Sequence, residues 1–424
     1  MSPFAPRKDV CSRSEQRHSI TGTALAKRKI LFVLGSLGAG GAERQVLRIL
    51  THLDRERYAP SMYVVHREGE LLEQVPVDVP VFAYWDDRTY PRLNFPGRIL
   101  LSQARDLARV IDREQIDLVY DRASQMTLTA SLAMRRNAIP RVSVAVGDPS
   151  RDFALLHSRF AFAKRHLLRR AYRTADRIVA VSEGVRRGLI DFFALAASQV
   201  VTCPNLFDID QIDAASSEAF DQYQADRFEI VTVGRLSQEK GHIHLLQAME
   251  RLVEADRHAR VRLWLVGSGP LEQTLRGFVK DHGLEAHVCF AGYQTNPLPF
   301  VKHAQLFCLP SLYEGMPNAL IEAMVCGTPV ISSDCPSGPR EILGDDNKFG
   351  CLVPVADAGS LADAITDAIS DYPARQTKTA SARRHIIEHY SLKSGLRQLE
   401  SVFDELIDGR SRLSDTSGDS AARS

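Results

Sequence analysis

Two runs in the second half of the chain carry residue types suited to holding an anion and a sugar. In Val233-Gly234-Arg235-Leu236-Ser237-Gln238-Glu239-Lys240-Gly241, a β-branched apolar run gives way to a guanidinium and then an ammonium, just ahead of a helical pattern. Arginine grips a phosphate with two parallel donors, and lysine adds a compact point charge. A solvated basic pair is the plainer reading, but cations are poorly placed at the positive end of a helix dipole. An anionic ligand removes that conflict.

The second run is Ser311-Leu312-Tyr313-Glu314-Gly315-Met316-Pro317-Asn318-Ala319-Leu320-Ile321-Glu322, continuing to Gly327 and Pro329. Pro317 suits a first helical position, and Gly327 with Pro329 supplies the stop. Glu314 therefore precedes the helix, whereas Glu322 lies more than a turn inside it, on a face otherwise made of Ala, Leu, Ile and Met. A carboxylate there is costly to bury unless something polar pairs with it. Two vicinal hydroxyls of a ribose would satisfy it, and a glutamate snorkelling to solvent at the helix edge accounts for it equally well. The N–H groups of Asn318 and Ala319 at the helix start offer a further anion site.

The first half contributes Gly35-Ser36-Leu37-Gly38-Ala39-Gly40-Gly41-Ala42-Glu43, four glycines in seven residues between a strand pattern and a helix pattern. Glycines let backbone approach a ligand closely, and the following helix N-terminus favours an anion. Glu43 stands where a dinucleotide fingerprint counted from Gly38 needs its last glycine, so this is not that motif. Together the runs describe a nucleoside diphosphate held between two halves of the chain.

The elements that must position these runs follow a repeated grammar. Strand patterns at Ile30–Leu34, Tyr63–Val65, Val79–Tyr84, Leu118–Tyr120 and Arg141–Val146 alternate with helical ones at Ala42–Leu53, Ile99–Asp112 and Thr127–Arg136. After a polar stretch at 205–225 the pattern restarts, with strands at Ile230–Val233, Val261–Val266, Val288–Ala291, Leu306–Pro310 and Val330–Ser333. Helices are expected at Ile243–Glu254, Leu271–His282, Asn318–Cys326, Leu361–Ser370 and Leu392–Ile407. Such alternation predicts an α/β chain with two parallel-sheet domains, 28–205 and 206–408, between unstructured ends at 1–27 and 409–424.

Composition narrows the function. The formal net charge is +1 over 424 residues, yet residues 1–205 carry 32 basic and 21 acidic side chains, or +11, and residues 206–424 carry 21 and 31, or −10. The halves are expected to face different partners. Seven cysteines without a CxxC pair point to a reducing compartment and not to disulfides or structural zinc. Neither a signal peptide nor an 18-residue apolar run is found, so a cytoplasmic location is expected. Aromatics make up 7% and no aromatic-basic platform occurs, which argues against a nucleic-acid partner.

In order along the chain, the GAGGAE loop Gly38–Glu43, Ala175–Ser182, Pro204-Asn205, Gly234-Arg235-Leu236 with Glu239-Lys240-Gly241, and Glu314–Glu322 resemble the signature of family 4 glycosyltransferases. The resemblance spans about Arg28 to Ile407 and implies a retaining enzyme of the GT-B fold, two Rossmann-like domains facing a central cleft, with the C-terminal helix returning to the first. By that resemblance Arg235 and Lys240 hold the donor diphosphate and stabilise the leaving group. Glu322 binds the ribose, Glu314 with Gly315, Met316, Pro317 and Asn318 contacts the sugar and phosphates, and Gly40 and Gly41 close on the pyrophosphate from the other domain. The nucleotide-sugar is a co-substrate, and neither a cofactor nor an essential metal is expected. Asp208-Ile209-Asp210 superficially matches a metal-binding DxD, but its place at the crossover reads as a solvated linker.

One departure concerns a histidine that many members carry after the fifth strand; here the run is Val144-Ala145-Val146-Gly147-Asp148-Pro149-Ser150. Asp148 and Arg151 are candidate replacements on the acceptor side, with Glu43 and Arg122; an ion pair with Asp121 or another acid is an equal reading for Arg122. The run Cys335–Leu343 is similar to a loop in members that build cell-surface glycans on lipid carriers, some of them from UDP-N-acetylhexosamine. Residues Arg159–Arg173 place Arg165, Arg169 and Arg173 on one helical stripe and Phe160, Leu167 and Ala171 on another. That pattern suits an anionic membrane surface on the cytoplasmic face of the inner membrane, or a polyprenyl-diphosphate acceptor, and equally a core-facing helix with a solvated side. Two other functions compete: an enzyme like the UDP-N-acetylglucosamine 2-epimerases, and a non-catalytic nucleotide-sugar-binding subunit.

Overall fold

The computed structural model describes residues 26–38, 40–89, 97–137, 139–154, 161–254 and 260–421. Residues 1–25 and 422–424 of the two expected unstructured ends, and Arg159 and Phe160 of the basic stretch, lie outside them.

The first domain is built on strands β1 (Arg28–Leu34), β2 (Tyr58–Val64), β3 (Val81–Ala83), β4 (Leu118–Arg122), β5 (Arg141–Ala145), β6 (Arg177–Ala180) and β7 (Val200–Thr202). They form a parallel sheet in the order β3-β2-β1-β4-β5-β6-β7. The second holds β8 (Phe228–Val233), β9 (Val261–Val266), β10 (Val288–Gly292), β11 (Leu306–Leu309), β12 (Val330–Ser333) and β13 (Cys351–Val353), in the order β10-β9-β8-β11-β12-β13, also parallel. The central strands are continuous apolar runs, with Ile30 to Val33 fully buried, because helices cover both faces of each sheet. Strand order reverses beside β1 in one sheet and beside β8 in the other. In open α/β sheets ligands bind beyond the carboxyl ends of strands at such a reversal.

The chain crosses between domains twice, and the crossings lie side by side. Phe207 N–H donates to Tyr390 O at 3.1 Å, and Leu392 N–H donates to Phe207 O at 2.8 Å. The last helix, Leu392–Ala421, then packs on the first domain, with Arg28 bonded to Asp408 at 2.5 Å and Tyr58 Oη donating to Asp404 Oδ1 at 2.6 Å. A Cβ at Gly395 would stand 2.0 Å from Leu206 Cδ2, so the start of this helix lies directly against the crossover.

Four features differ from expectation. Strands β7 and β13 are three residues each, too short to show an apolar pattern. The helix Tyr372–Tyr390 was not anticipated because it buries only Ala382, Ile386 and Tyr390 among polar neighbours, leaving no regular stripe. Residues 409–421, expected to be unstructured, continue the last helix; the stretch contains no proline, and a helix propagates readily from turns already packed. Asp208-Ile209-Asp210 is not a loose linker, for Asp208 Oδ1 caps the helix Ile209–Ser216 by accepting from Gln211 N–H at 3.0 Å.

Candidate active site

Beyond β8 the chain makes one short turn, Gln238–Lys240, and enters the helix His242–Glu254. Gly241 between them has φ +61°, and a Cβ there would stand 2.2 Å from Pro310 O, so this turn lies directly against the end of β11. That closeness brings two of the expected residues together. Lys240 Nζ donates to Glu314 Oε1 at 2.7 Å, and Ser311 Oγ donates to the same oxygen at 2.7 Å. Glu314 is buried, so its charge is compensated within its own domain. Lysine has three donors, and those not used by Glu314 stay available to a ligand. Arg235, at the carboxyl end of β8, is exposed, and its guanidinium has no hydrogen-bond or ion-pair partner among the described residues, while its carbonyl accepts from Ser237 N–H at 2.8 Å. His242, just past Lys240, is buried with Nδ1 unpartnered, and burial together with the Lys240 charge pushes its imidazole down to about 4.

The loop Glu314–Pro317 and the helix Asn318–Cys326 form the next wall. Pro317 sits at the cap, one position earlier than expected, and Gly327 ends the helix at φ +77°. Glu322 neither snorkels freely nor sits alone: its side chain is 22% exposed and Oε1 lies 3.8 Å from Arg48 Nη2 of the first domain. Burial pushes the Glu322 carboxyl up, and Arg48 and Arg44 pull it back down. Arg48 also donates to Leu206 O at 2.9 Å, which fixes it to the crossover.

The first domain meets this wall with backbone. The helix Gly41–His52 starts beyond β1 with Gly40 at its cap, and a Cβ on Gly41 would lie 3.1 Å from Asn318 Nδ2. The two glycine-bearing and helix-start elements expected to share a ligand therefore face each other. Glu43 folds back over its own loop, with Oε2 2.4 Å from where a Cβ on Gly40 would be, so a carboxylate and not open space covers Gly40. Gly315 packs so tightly on the end of β5 that a Cβ would stand 1.9 Å from Val146 O, and Ser182 Oγ donates to Gly315 O at 2.7 Å.

The acceptor-side candidates separate. Asp148 Oδ1 accepts from Ser150 N–H at 2.9 Å and lies 2.8 Å from where a Cβ on Gly188 would be, so it caps a short helix against its neighbour. Arg151 is exposed on that short helix, Pro149–Ala154. Arg122 is 4% exposed and donates to Asn205 Oδ1 at 2.8 Å, while Asp121 pairs with Arg141 at 3.3 Å, so the Arg122–Asp121 reading fails.

Several residues that bind the halves together were not singled out as site residues. Glu341, inside the Cys335–Leu343 run, accepts from Glu183 N–H and Gly184 N–H, each at 2.8 Å, and so caps a helix of the other domain. Gly184 would clash with Ser337 Oγ at 2.6 Å if it carried a Cβ, and Gly338 with Pro317 Cδ at 2.4 Å. The run 335–341 thus braces the 314–317 loop against the first domain. Asn205 and Ser182 lay within runs noted for their resemblance; Arg48 had no signal beyond its place on an amphipathic helix.

The basic helix runs Ala161–Arg173. Leu168, Ala171 and Tyr172 turn to the core, which removes Ala171 from the outer stripe, and Arg165 Nη2 donates to Phe192 O at 2.8 Å. Phe162 at 82% and Leu167 at 47% exposure remain outside, beside exposed Arg169, Arg170 and Arg173. Among the described residues no helix is long and apolar enough to cross a membrane, and no group of three His, Cys, Asp or Glu is arranged to hold a metal ion.

Comparison with known proteins agrees with this fold. Residues 39–211 match the family described as Glycosyltransferase Family 4, and residues 216–385 match Glycosyl transferases group 1. An N-acetylgalactosamine-N,N'-diacetylbacillosaminyl-diphospho-undecaprenol 4-alpha-N-acetylgalactosaminyltransferase of Campylobacter jejuni is 30% identical over 358 residues, 84% of this chain and 94% of that protein. An uncharacterized glycosyltransferase of Methanocaldococcus jannaschii is 34% identical over 176 residues, 41% of this chain and 43% of that protein. In fold, the chain is similar to Anabaena Alr3699/HepE, solved with UDP, at a TM-score of 0.74 and 21% identity, covering 89% of this chain and 100% of that one. The doubly wound pair of domains, the cleft between their strand reversals and these matches together establish that the chain belongs to the family 4 glycosyltransferases of the GT-B fold.

Proposed function

We propose that the protein is a retaining, metal-independent hexosyltransferase that moves a sugar from a nucleotide-diphosphate donor, a UDP-hexose or UDP-N-acetylhexosamine, to a glycan or polyprenyl-diphosphate-linked acceptor in surface-glycan assembly. The observation that carries the reading is the arrangement beyond β8 and β11: the exposed Arg235 guanidinium, unpaired among the described residues, Lys240 held by buried Glu314, and the start of the helix at Asn318. In such a site the two cations neutralise charge building on the departing diphosphate, and fixed donors aimed at developing charge lower the barrier without reorganising. Glu322 takes the ribose hydroxyls in place of the long 3.8 Å contact with Arg48.

Neither carboxylate is free to attack a sugar. Glu314 already accepts from Lys240 and Ser311, and Glu322 faces Arg48, which argues against a covalent enzyme intermediate; retention itself rests on the family resemblance. The acceptor class comes from the Campylobacter relative, whose name gives a diphospho-undecaprenol substrate. Exposed Phe162 and Leu167 beside Arg169, Arg170 and Arg173 fit a cytoplasmic enzyme resting on an anionic membrane face. The test is transfer by Arg235→Ala at saturating donor. The reading expects turnover to fall about 100-fold or more, and an unchanged rate overturns it.

A further inference from the structure

Arg122 is a buried cation without an anion. It ends β4 at 4% exposure, and the carboxylate next to it, Asp121, is taken by Arg141, Thr127 and Ser143. No carboxylate pairs with Arg122 among the described residues. Its Nη2 donates to Asn205 Oδ1 at 2.8 Å, its Nη1 lies 3.4 Å from Tyr120 Oη, and its Nε is buried without a partner. A buried charge lacking a counter-ion weakens a fold, so this arginine is not explained by stability.

What it does follows from hydrogen-bond direction. A guanidinium donates and never accepts, so Asn205 has to present its carbonyl oxygen to Arg122 and turn its amide N–H2 the other way. There Asn205 Nδ2 donates to Asn318 Oδ1 at 2.8 Å, across the domain boundary. With its oxygen engaged, Asn318 turns its own N–H2 outward, and Nδ2 comes 3.1 Å from where a Cβ on Gly41 would stand. The relay therefore ends as a donor at the place where the glycine loop meets the helix start. The reverse polarity would end it as a carbonyl oxygen, which repels an anion.

We propose that Arg122, acting through Asn205, fixes the direction of this relay and so aims the Asn318 side-chain amide at an anionic oxygen of the donor's diphosphate. Arg122 and Asn205 are positioning residues, and Asn318 makes the contact. The inference rests on the nucleoside-diphosphate reading above. It also accounts for a buried polar chain linking β4, the crossover and the donor helix.

The test compares UDP, which has the anion, with uridine, which lacks it, by calorimetry and by NMR titration of the full chain. R122M removes the donor and is expected to weaken UDP about tenfold while uridine stays within about twofold. R122K keeps a donor-only head and is expected to recover UDP binding to within about threefold of wild type. Asn205→Asp keeps a partner for Arg122, holds the melting temperature, and loses the donor to Asn318, so its UDP affinity falls as far as that of R122M. Unchanged UDP affinity in R122M and N205D, or an equal loss for uridine, overturns the proposal. If R122M fails to fold, N205D alone decides. Wild-type protein that binds no nucleoside diphosphate strikes the functional reading instead.

Discussion

The two sides of the cleft are built differently. On the second domain one cluster is settled within the domain: Lys240 and Ser311 both donate to Glu314 across the ends of β8 and β11. The first domain's contacts at the cleft are made by groups whose partners lie in the other half, as with Ser182 on Gly315, Arg48 on Glu322, and the Glu183 and Gly184 amides on Glu341. The difference teaches that the Lys240–Glu314–Ser311 cluster holds its geometry within one domain, whereas Gly315, Asn318 and Glu322 are set by groups of the first domain. Charge divides along the same line, with +11 over residues 1–205 and −10 over residues 206–424, although the acidic half still places Arg235 and Lys240 beyond the carboxyl end of β8.

That contrast can be broken most sharply at the donor side. Lys240→Ala removes a ligand donor and also leaves Glu314 buried without its partner. Transfer at saturating donor should fall about 100- to 1,000-fold, and a loss under about tenfold would put the charge work elsewhere. Next in size is closure. Glu341→Ala leaves the second domain's internal bonds intact, so kcat should drop about tenfold while the Kd for UDP changes less than about twofold. If Glu341→Ala weakens UDP and kcat equally, the two sides are not separable. Gly184→Val, which drives a side chain into Pro336 and Ser337, should give the same split.

Smaller effects concern stability. Asp404→Ala frees Tyr58 and Arg57 and loosens the returning helix, which should cost about 1–3 kcal/mol in denaturant unfolding without changing UDP affinity. His242 supplies a pH signature. Its imidazole is held near 4 in the fold against 6.5 when unfolded, so the unfolded state binds the proton first as pH falls. Stability from this residue is intact above about 6.5 and is lost as pH drops from there through about 4. His242→Leu should flatten that part of a melting-temperature profile, and an unchanged slope would assign it to other groups.

Much of the donor side was legible in the sequence because its determinants are local. Strand, loop and helix start lie within a few residues at 233–241 and at 311–322, and the geometry there follows from glycine, proline and the carboxyl ends of strands. Alternating patterns likewise announced most strands. The first domain's part was harder to read, since Asn205 and Asn318 are 113 residues apart and Glu341 reaches Glu183 over 158. No periodicity encodes such pairings. Asp148 shows a local role that strand and helix patterns do not announce: Ser150, two positions on, makes it a helix cap.

The central claim is that Arg235 and Lys240 form a diphosphate site facing Asn318. Isothermal titration of UDP into the wild-type chain and into Arg235→Ala tests it most directly. The account predicts saturable binding by the wild type and a loss of about tenfold or more in the variant, steepened at low salt where charge pairing is less screened. Equal affinities, or no binding of UDP or any other nucleoside diphosphate to the wild type, would contradict it.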